Sequence, residues 1–179
     1  MLNFAAMENA LVALVRDITG IAQANVIIAD QNIPAPISGL YVTVKLGDVA
    51  HVSRDQFGPT STLGERTLHG HREMPISIHA YRKGGREALE SIADSLEWDS
   101  VAQTLMDANL IIYSIGAIRN LTAPVDNTMR DHYFLELFCR SASETIETLP
   151  TGGYIEKAEV TETIEQPPMA DFEQTVIIG

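Results

Sequence analysis

Arg130-Asp131-His132-Tyr133-Phe134-Leu135-Glu136-Leu137-Phe138-Cys139-Arg140-Ser141-Ala142-Ser143 alternates in character along its length. Tyr133, Leu135, Leu137 and Cys139 fall on one side of an extended chain, and His132, Phe134, Glu136, Phe138 and Arg140 on the other. That period of two marks a β-strand with one face in a core. Fourteen extended residues at about 3.3 Å each reach roughly 45 Å, whereas a compact domain of this length has a radius of gyration near ~16 Å. The strand therefore spans the domain or projects beyond it. A second strand, Tyr154 to Ile164, follows the turn-like Pro150-Thr151-Gly152-Gly153, so Arg130 to Glu165 reads as a long hairpin. Two phenylalanines on its mixed-charge face suit a protein interface better than open solvent. A sheet covered on both sides by the chain's own helices is the alternative.

Upstream, Leu40, Val42, Val44 and Leu46 alternate with Tyr41, Thr43 and Lys45, and a short strand is expected at Val26 to Ala29. Met74, Ile76, Ile78 and Ala80 point inward from another strand that resumes by Arg66, with Glu73, Ser77, His79 and Tyr81 outward. Pro75 removes a backbone donor in its middle, which predicts an edge position or a bulge. Residues 53–65 read as a loop.

Three helices accompany these strands. Leu11, Leu14, Val15 and Ile18 form the apolar stripe of one near residues 4–19, with Asn3 to cap its start and Gly20 its end. Leu89, Ile92, Ala93 and Leu96 form a second after Gly84-Gly85. Ser100 and Gln103 have capping-box spacing for a third that ends near Asn109 and buries Val101 and Leu105. Leu110 to Ile118 reads as a compact apolar strand. The expected fold is α/β (α+β), a single mixed, mainly antiparallel sheet with helices packed on it. The long hairpin projects from it, residues 1–166 make one domain, and residues 167–179 are a tail ordered by a partner.

At 179 residues and 45% hydrophobic content the chain fills one core. Twelve basic against 24 acidic residues give a net charge of −12, which disfavours a surface that grips nucleic acid through its phosphates. An acidic lining would instead keep a threaded duplex from sticking. Residues 141–179 hold eight acids against Lys157, so this segment carries −7 and the remainder −5. Cys139 is the only cysteine, so no intrachain disulfide forms and a reduced, buried thiol is expected. No apolar stretch approaches the roughly 20 residues of a membrane span, and no export signal is visible.

Catalytic chemistry finds little support. His69 and His71 share a strand face with His79, yet a metal needs a third ligand and supporting groups that are not at hand. No Gly-x-Ser-x-Gly turn appears. Lys83-Gly84-Gly85-Arg86 lacks the spacing of a nucleotide-binding loop. Glu156, Glu159, Glu162 and Glu165, spaced by three, read as a solvated surface. Neither a cofactor nor an enzyme activity is expected.

The order of several segments resembles a known family. Asp17-Ile18-Thr19-Gly20 ends the first helix and leads to Val26-Ile27 and the loop Asp30-Gln31-Asn32-Ile33-Pro34-Ala35-Pro36, then Tyr41-Val42-Thr43-Val44. Arg72 precedes Ile76-Ser77-Ile78-His79-Ala80-Tyr81. The turn Ile118-Arg119-Asn120-Leu121-Thr122 follows, then Tyr133-Phe134-Leu135-Glu136-Leu137-Phe138 and Gly153-Tyr154-Ile155-Glu156-Lys157-Ala158-Glu159-Val160. Over most of residues 8–162 this resembles phage neck and tail terminator proteins. The chain departs where the family often places a basic and a small residue, at Asp131 and His132.

The resemblance implies a structural virion protein without catalytic residues. It forms a homo-oligomeric ring, commonly a hexamer, that caps the tail tube and ends its polymerisation. Its partners are the tail tube protein, the sheath where one exists and the head connector that docks on the ring, with genomic DNA passing through the lumen. Its place is the virion neck at the top of the tail, after assembly in the host cytoplasm, with no membrane partner. The expected interface residues are Gln31, Asn32, Pro34, Pro36, Arg72, Tyr81, Phe134, Phe138 and Arg140. Two alternatives stay open: a head-side connector or tail completion ring, and a small-ligand or metal-binding domain on the His69, His71 and His79 face.

Overall fold

The computed structural model describes residues 2–148 apart from 32, 33, 35, 37, 62, 63, 126 and 127. Helix α1, Phe4–Thr19, begins where the Asn3 side chain accepts the amide of Ala6 at 3.1 Å and ends where Gly20 turns left-handed at φ 67°. Its apolar stripe buries Met7, Leu11, Leu14 and Val15. After a short 3₁₀ turn come β1, Val26–Ile28, and β2, Tyr41–Leu46, which run parallel. Strands β3, Ala50–His51, and β4, Gln56–Phe57, lead to β5, Glu65–Tyr81. Helices α2, Gly85–Ser95, and α3, Asp99–Asp107, follow. Then come β6, Ile111–Ile115, β7, Arg119–Asn120, the small hairpin of β8, Ala123–Val125, and β9, Thr128–Arg130, and finally β10, His132–Thr148.

The sheet order is β1-β2-β5-β10-β6, antiparallel except for β1 with β2, while β3 and β4 add to β5 and β7 adds to β10. This is the mixed, mainly antiparallel sheet with packed helices that the alternating patterns imply. Strands β5 and β10 form its spine. They pair without a break from His132 opposite Tyr81 to Thr148 opposite Glu65, 17 residues each. At about 3.3 Å per residue that ribbon is roughly 56 Å long. The expected length of β10 is therefore present, and across the described residues its full-length partner is β5. The second strand expected at Tyr154 to Ile164, the acidic segment beyond Thr148 and the tail after Pro167 lie outside the described residues.

All three helices contact one another or the sheet, and the core lies between them and one sheet face. Val42, Val44, Met74, Ile76, Ile78, Ala80, Leu135, Leu137 and Cys139 supply the strand side, each nearly or fully buried. Leu89, Ile92, Val101 and Leu105 supply the side of α2 and α3. Cys139 is a buried thiol, pushed up to about 11 by that burial, and it donates to the carbonyl of Met74 at 3.3 Å.

Several local expectations change. Pro75 lies in the sheet interior, with the bulge on its neighbour: Leu46 faces Ile76 and Ala50 faces Glu73, so four steps along one chain match three along the other. Gly47 N donates to Pro75 O at 2.8 Å, which places the missing Pro75 donor on the side where β2 has just ended. Ser100 and Gln103 form no capping box, because α3 starts two residues earlier, at Asp99 behind Trp98, with no side-chain cap. Ser100 accepts from Thr104 Oγ1, and Gln103 donates to Asp107. The loop of residues 53–65 contains β4 and anchors Asp55 on β5. The apolar run after Leu110 is not enclosed: Ile111, Tyr113 and Ile115 are exposed on a terminal strand of the sheet.

Candidate subunit interface

The second face of the sheet carries no helix among the described residues. It is built by the alternate residues of the strands that build the core, so the same period of two that buries Leu135 and Leu137 forces Phe134, Glu136 and Phe138 out. The result is a row of rings. Tyr81 stacks between Tyr41, at 4.6 Å between centroids and 10° between planes, and His132, at 4.4 Å and 11°. His79 lies 4.7 Å from Phe134, and its Nδ1 is 2.9 Å from Nε2 of His132. Phe138 faces Tyr113 at 6.5 Å. All of these rings but the exposed Tyr113 are half-buried, and burial raises the Tyr41 hydroxyl above its usual range with help from Tyr81. Burial lowers His79, with the His132 charge adding to it, and burial lowers His132.

Guanidinium groups frame the row. Arg82 lies 5.2 Å from the Tyr41 ring, Arg119 6.0 Å from Phe134 and Arg140 4.5 Å from Tyr113. Arg140 also pairs with Glu73 at 2.7 Å. Lys45 pairs with Asp30 at 2.5 Å, and that contact raises the lysine.

Of the residues expected at an interface, Tyr81, Phe134, Phe138 and Arg140 come together here. Pro36 is tied to the end of this face, since its carbonyl accepts from Arg82 at 2.6 Å while Gly39 O accepts from the same guanidinium at 2.8 Å. Pro34 is exposed nearby in sequence, and Gln31 helps line a separate cleft with Asn9, Val12 and Gln23. Asn32 lies outside the described residues. Arg72 points to the opposite, core side of β5. It is 8% exposed and makes a two-pronged pair with Asp55, 2.7 Å to each oxygen, which holds that carboxylate below its ordinary range. A Cβ on Gly70 would collide with both partners of this pair, so glycine makes the space they occupy.

Sequence reasoning missed Tyr41, Arg82, Tyr113 and Arg119. Tyr41 is legible as an outward residue of an alternating run, whereas Tyr113 sits in an apolar run that does not alternate. Only the strand order, which the pattern does not contain, places them beside Tyr81 and Phe138. The histidine face divides: His69 sits 3.3 Å from Glu144, whereas His79, ten positions or roughly 33 Å along the strand, turns to His132. Among the described residues no three His, Cys, Asp or Glu side chains converge. Among the described residues no helix is long and apolar enough to cross a membrane.

No curated protein matches the sequence. Solved structures do match, two of them as follows. One is described as "Virion of native gene transfer agent (GTA) particle", with 20% identity, TM-score 0.40, and coverage of 79% of this chain and 93% of that one. The other is described as "Cryo-EM Structure of an Extracellular Contractile Injection System, PVC sheath/tube terminator in extended state". It shares 10% identity at TM-score 0.51, over 95% of this chain and 66% of that one. The phage neck terminator protein family model matches residues 5–167. The chain therefore belongs to the phage neck terminator protein family.

Proposed function

We propose that this protein is a structural subunit of a ring, a hexamer, that caps the tail tube at the neck of a phage, ends tube polymerisation and offers the surface on which the head connector docks. The family match over residues 5–167 carries this reading. The fold shared with a sheath/tube terminator supports it, and extends the candidate partners to the tube protein and, where the tail has one, the sheath. The protein acts by shape and adhesion and not by catalysis. It is assembled in the host cytoplasm and ends in the virion.

The physical requirement for such a subunit is a face that is stable alone yet better covered. The outer sheet face meets it: its rings pack sideways on one another, so the monomer survives, and covering them would remove further apolar area at about 25 cal/mol per Å². The interface of this reading is Tyr81, Phe134, Phe138 and Arg140, with the loop of Gln31, Asn32, Pro34 and Pro36 and the Arg72 region as its boundary. Residues 1–166 form the domain and residues 167–179 a tail that a partner orders. The net charge of −12 suits a lumen along which DNA moves without sticking.

Light scattering across a concentration series, with negative-stain images of the same fractions, tests the proposal. A closed ring of about six subunits is the expected result. A strictly monomeric species at every concentration would count against ring formation by the isolated protein, and genome neighbours that include no portal, capsid or tail genes would remove the neck assignment itself.

A further inference from the structure

The aromatic end of the outer sheet face and the helical side carry opposite charge. Lys45 is matched by Asp30 and Arg140 by Glu73, and Glu65 and Glu144 lie toward the far end of the face, but around Tyr81 and Phe134 stand Arg82, Lys83, Arg119 and Arg130 against Asp131 and Glu136, a net of +2 in a chain whose net charge is −12. At one end of this face is a cleft of about 350 Å³ walled by Arg82, Lys83 and Arg130 against Asp131, with Tyr41 and Tyr81 beside them. The helical side is the reverse. Residues 86–107 hold Glu87, Glu90, Asp94, Glu97, Asp99 and Asp107 against Arg86, a net of −5, and all six acids are exposed. Among them stand two large apolar side chains, Trp98 at 55% and Met106 at 53% exposure.

We infer that copies of this chain associate head to tail: the aromatic sheet face of one subunit, framed by Arg82, Arg119 and Arg140, seats on the acidic α2–α3 face of the next, with Trp98 inserted among the rings. This rests on the ring reading and adds which two faces meet. Three physical points lead to it. Acidic and basic faces attract and orient each other, while a sheet-to-sheet or helix-to-helix contact would set like charges together. Trp, Tyr and Arg are the side chains that anchor interfaces most strongly, and here the Trp is on one face and the Tyr and Arg on the other. Two different faces on opposite sides of one subunit generate a heterologous contact, the kind that closes a ring when the angle between them permits.

Trp98 is the only tryptophan, so its emission reports this contact directly. In the full-length protein, emission should move to shorter wavelength with concentration, in step with the rise in mass by light scattering. One variant combines Arg119→Glu with Arg140→Glu; a second combines Glu90→Lys, Asp94→Lys and Glu97→Lys, which takes the α2–α3 face from −5 to +1. Each alone should associate at least about tenfold more weakly while keeping the helical circular dichroism of the wild type. Mixed one to one, they should assemble again. In that mixture every contact joins an acidic face to a basic one, in alternating order. Rings that form with Trp98 emission unmoved, or variants that assemble as the wild type does, would overturn the face pairing and leave the ring reading standing. A wild-type protein monomeric throughout the series overturns both.

Discussion

Nδ1 of His79 and Nε2 of His132 lie 2.9 Å apart across β5 and β10. One ring must donate and the other accept, so the contact requires that at least one imidazole be neutral. Both groups sit below their ordinary value in the folded protein, chiefly through burial. The unfolded chain therefore binds protons that the folded chain refuses, and stability falls as pH drops. The window opens near the unfolded value of about 6.5 and closes at the lowered folded values, below which the loss is complete. Urea midpoints between pH 7.5 and 5 should fall, and His132→Gln should flatten that slope. A slope unchanged in the variant would assign the titration elsewhere.

Arg72 and Asp55 make a second pH-dependent contact at lower pH. The Asp55 carboxylate is held down mainly by its hydrogen bonds from Arg72, so its contribution is present above the unfolded carboxylate range and is lost as pH falls through the folded value. Asp55→Asn should lower the thermal midpoint at neutral pH and reduce the difference from wild type near pH 3. Gly70→Ala should reproduce the neutral-pH loss, because its methyl group takes the space of the pair. A Gly70→Ala protein as stable as wild type would mean that loop 53–65 is free to shift.

Phe138→Asp places a carboxylate against Tyr113 on the outer face. The core on the other side of β10 is untouched, so the helical circular dichroism should be retained while light scattering shows monomers. Intact rings would remove this strand from the interface. Leu135→Ala, on the buried side, should do the opposite: a loss of about 2–5 kcal/mol in unfolding free energy, read from denaturant titration.

The thiol of Cys139 gives a probe of global opening. Its thiolate is disfavoured by burial, with the value pushed up to about 11, so Ellman's reagent at pH 8 should react slowly in buffer and rapidly in denaturant. Fast reaction in buffer would show that β10 opens locally.

Most of the fold was legible because alternation and helical stripes survive in the sequence wherever a face is buried. α1, β2, α2 and the inward residues of β5 and β10 follow directly from that periodicity. Pairing does not. The partner of β10 is β5, residues distant in sequence, and no local pattern states it. Pro75 misled in part for the same reason: its missing donor forbids a bond on one side only, and which neighbour lies there is a property of the sheet. Ser100 and Gln103 carried a genuine capping spacing, but the turn after Leu96 brought Trp98 to the cap position first. At the candidate interface, the outward phenylalanines and Arg140 of β10 were visible, whereas Arg82 comes from the turn after β5 and Arg119 from β7, a two-residue strand whose position depends on β10. Arg72 was visible as a residue, and its pairing with Asp55 was not.

The spine of the sheet also sets the order in which the chain can fold. Residues that pair between β5 and β10 are separated by 51 positions at the Tyr81–His132 end and by 83 at the Glu65–Thr148 end, so this pairing is among the contacts of highest sequence separation and is slow to form. During synthesis β5 leaves the ribosome with one of its edges unfilled until β10 follows. An unpaired strand edge of that length invites partners of the wrong kind, other copies of the same chain among them. The bulge at Pro75 and the early arrival of β2 on the other edge shorten the exposed template to one side. Rapid supply of β10, rather than extra core stability, is then what limits the yield of correctly folded chains.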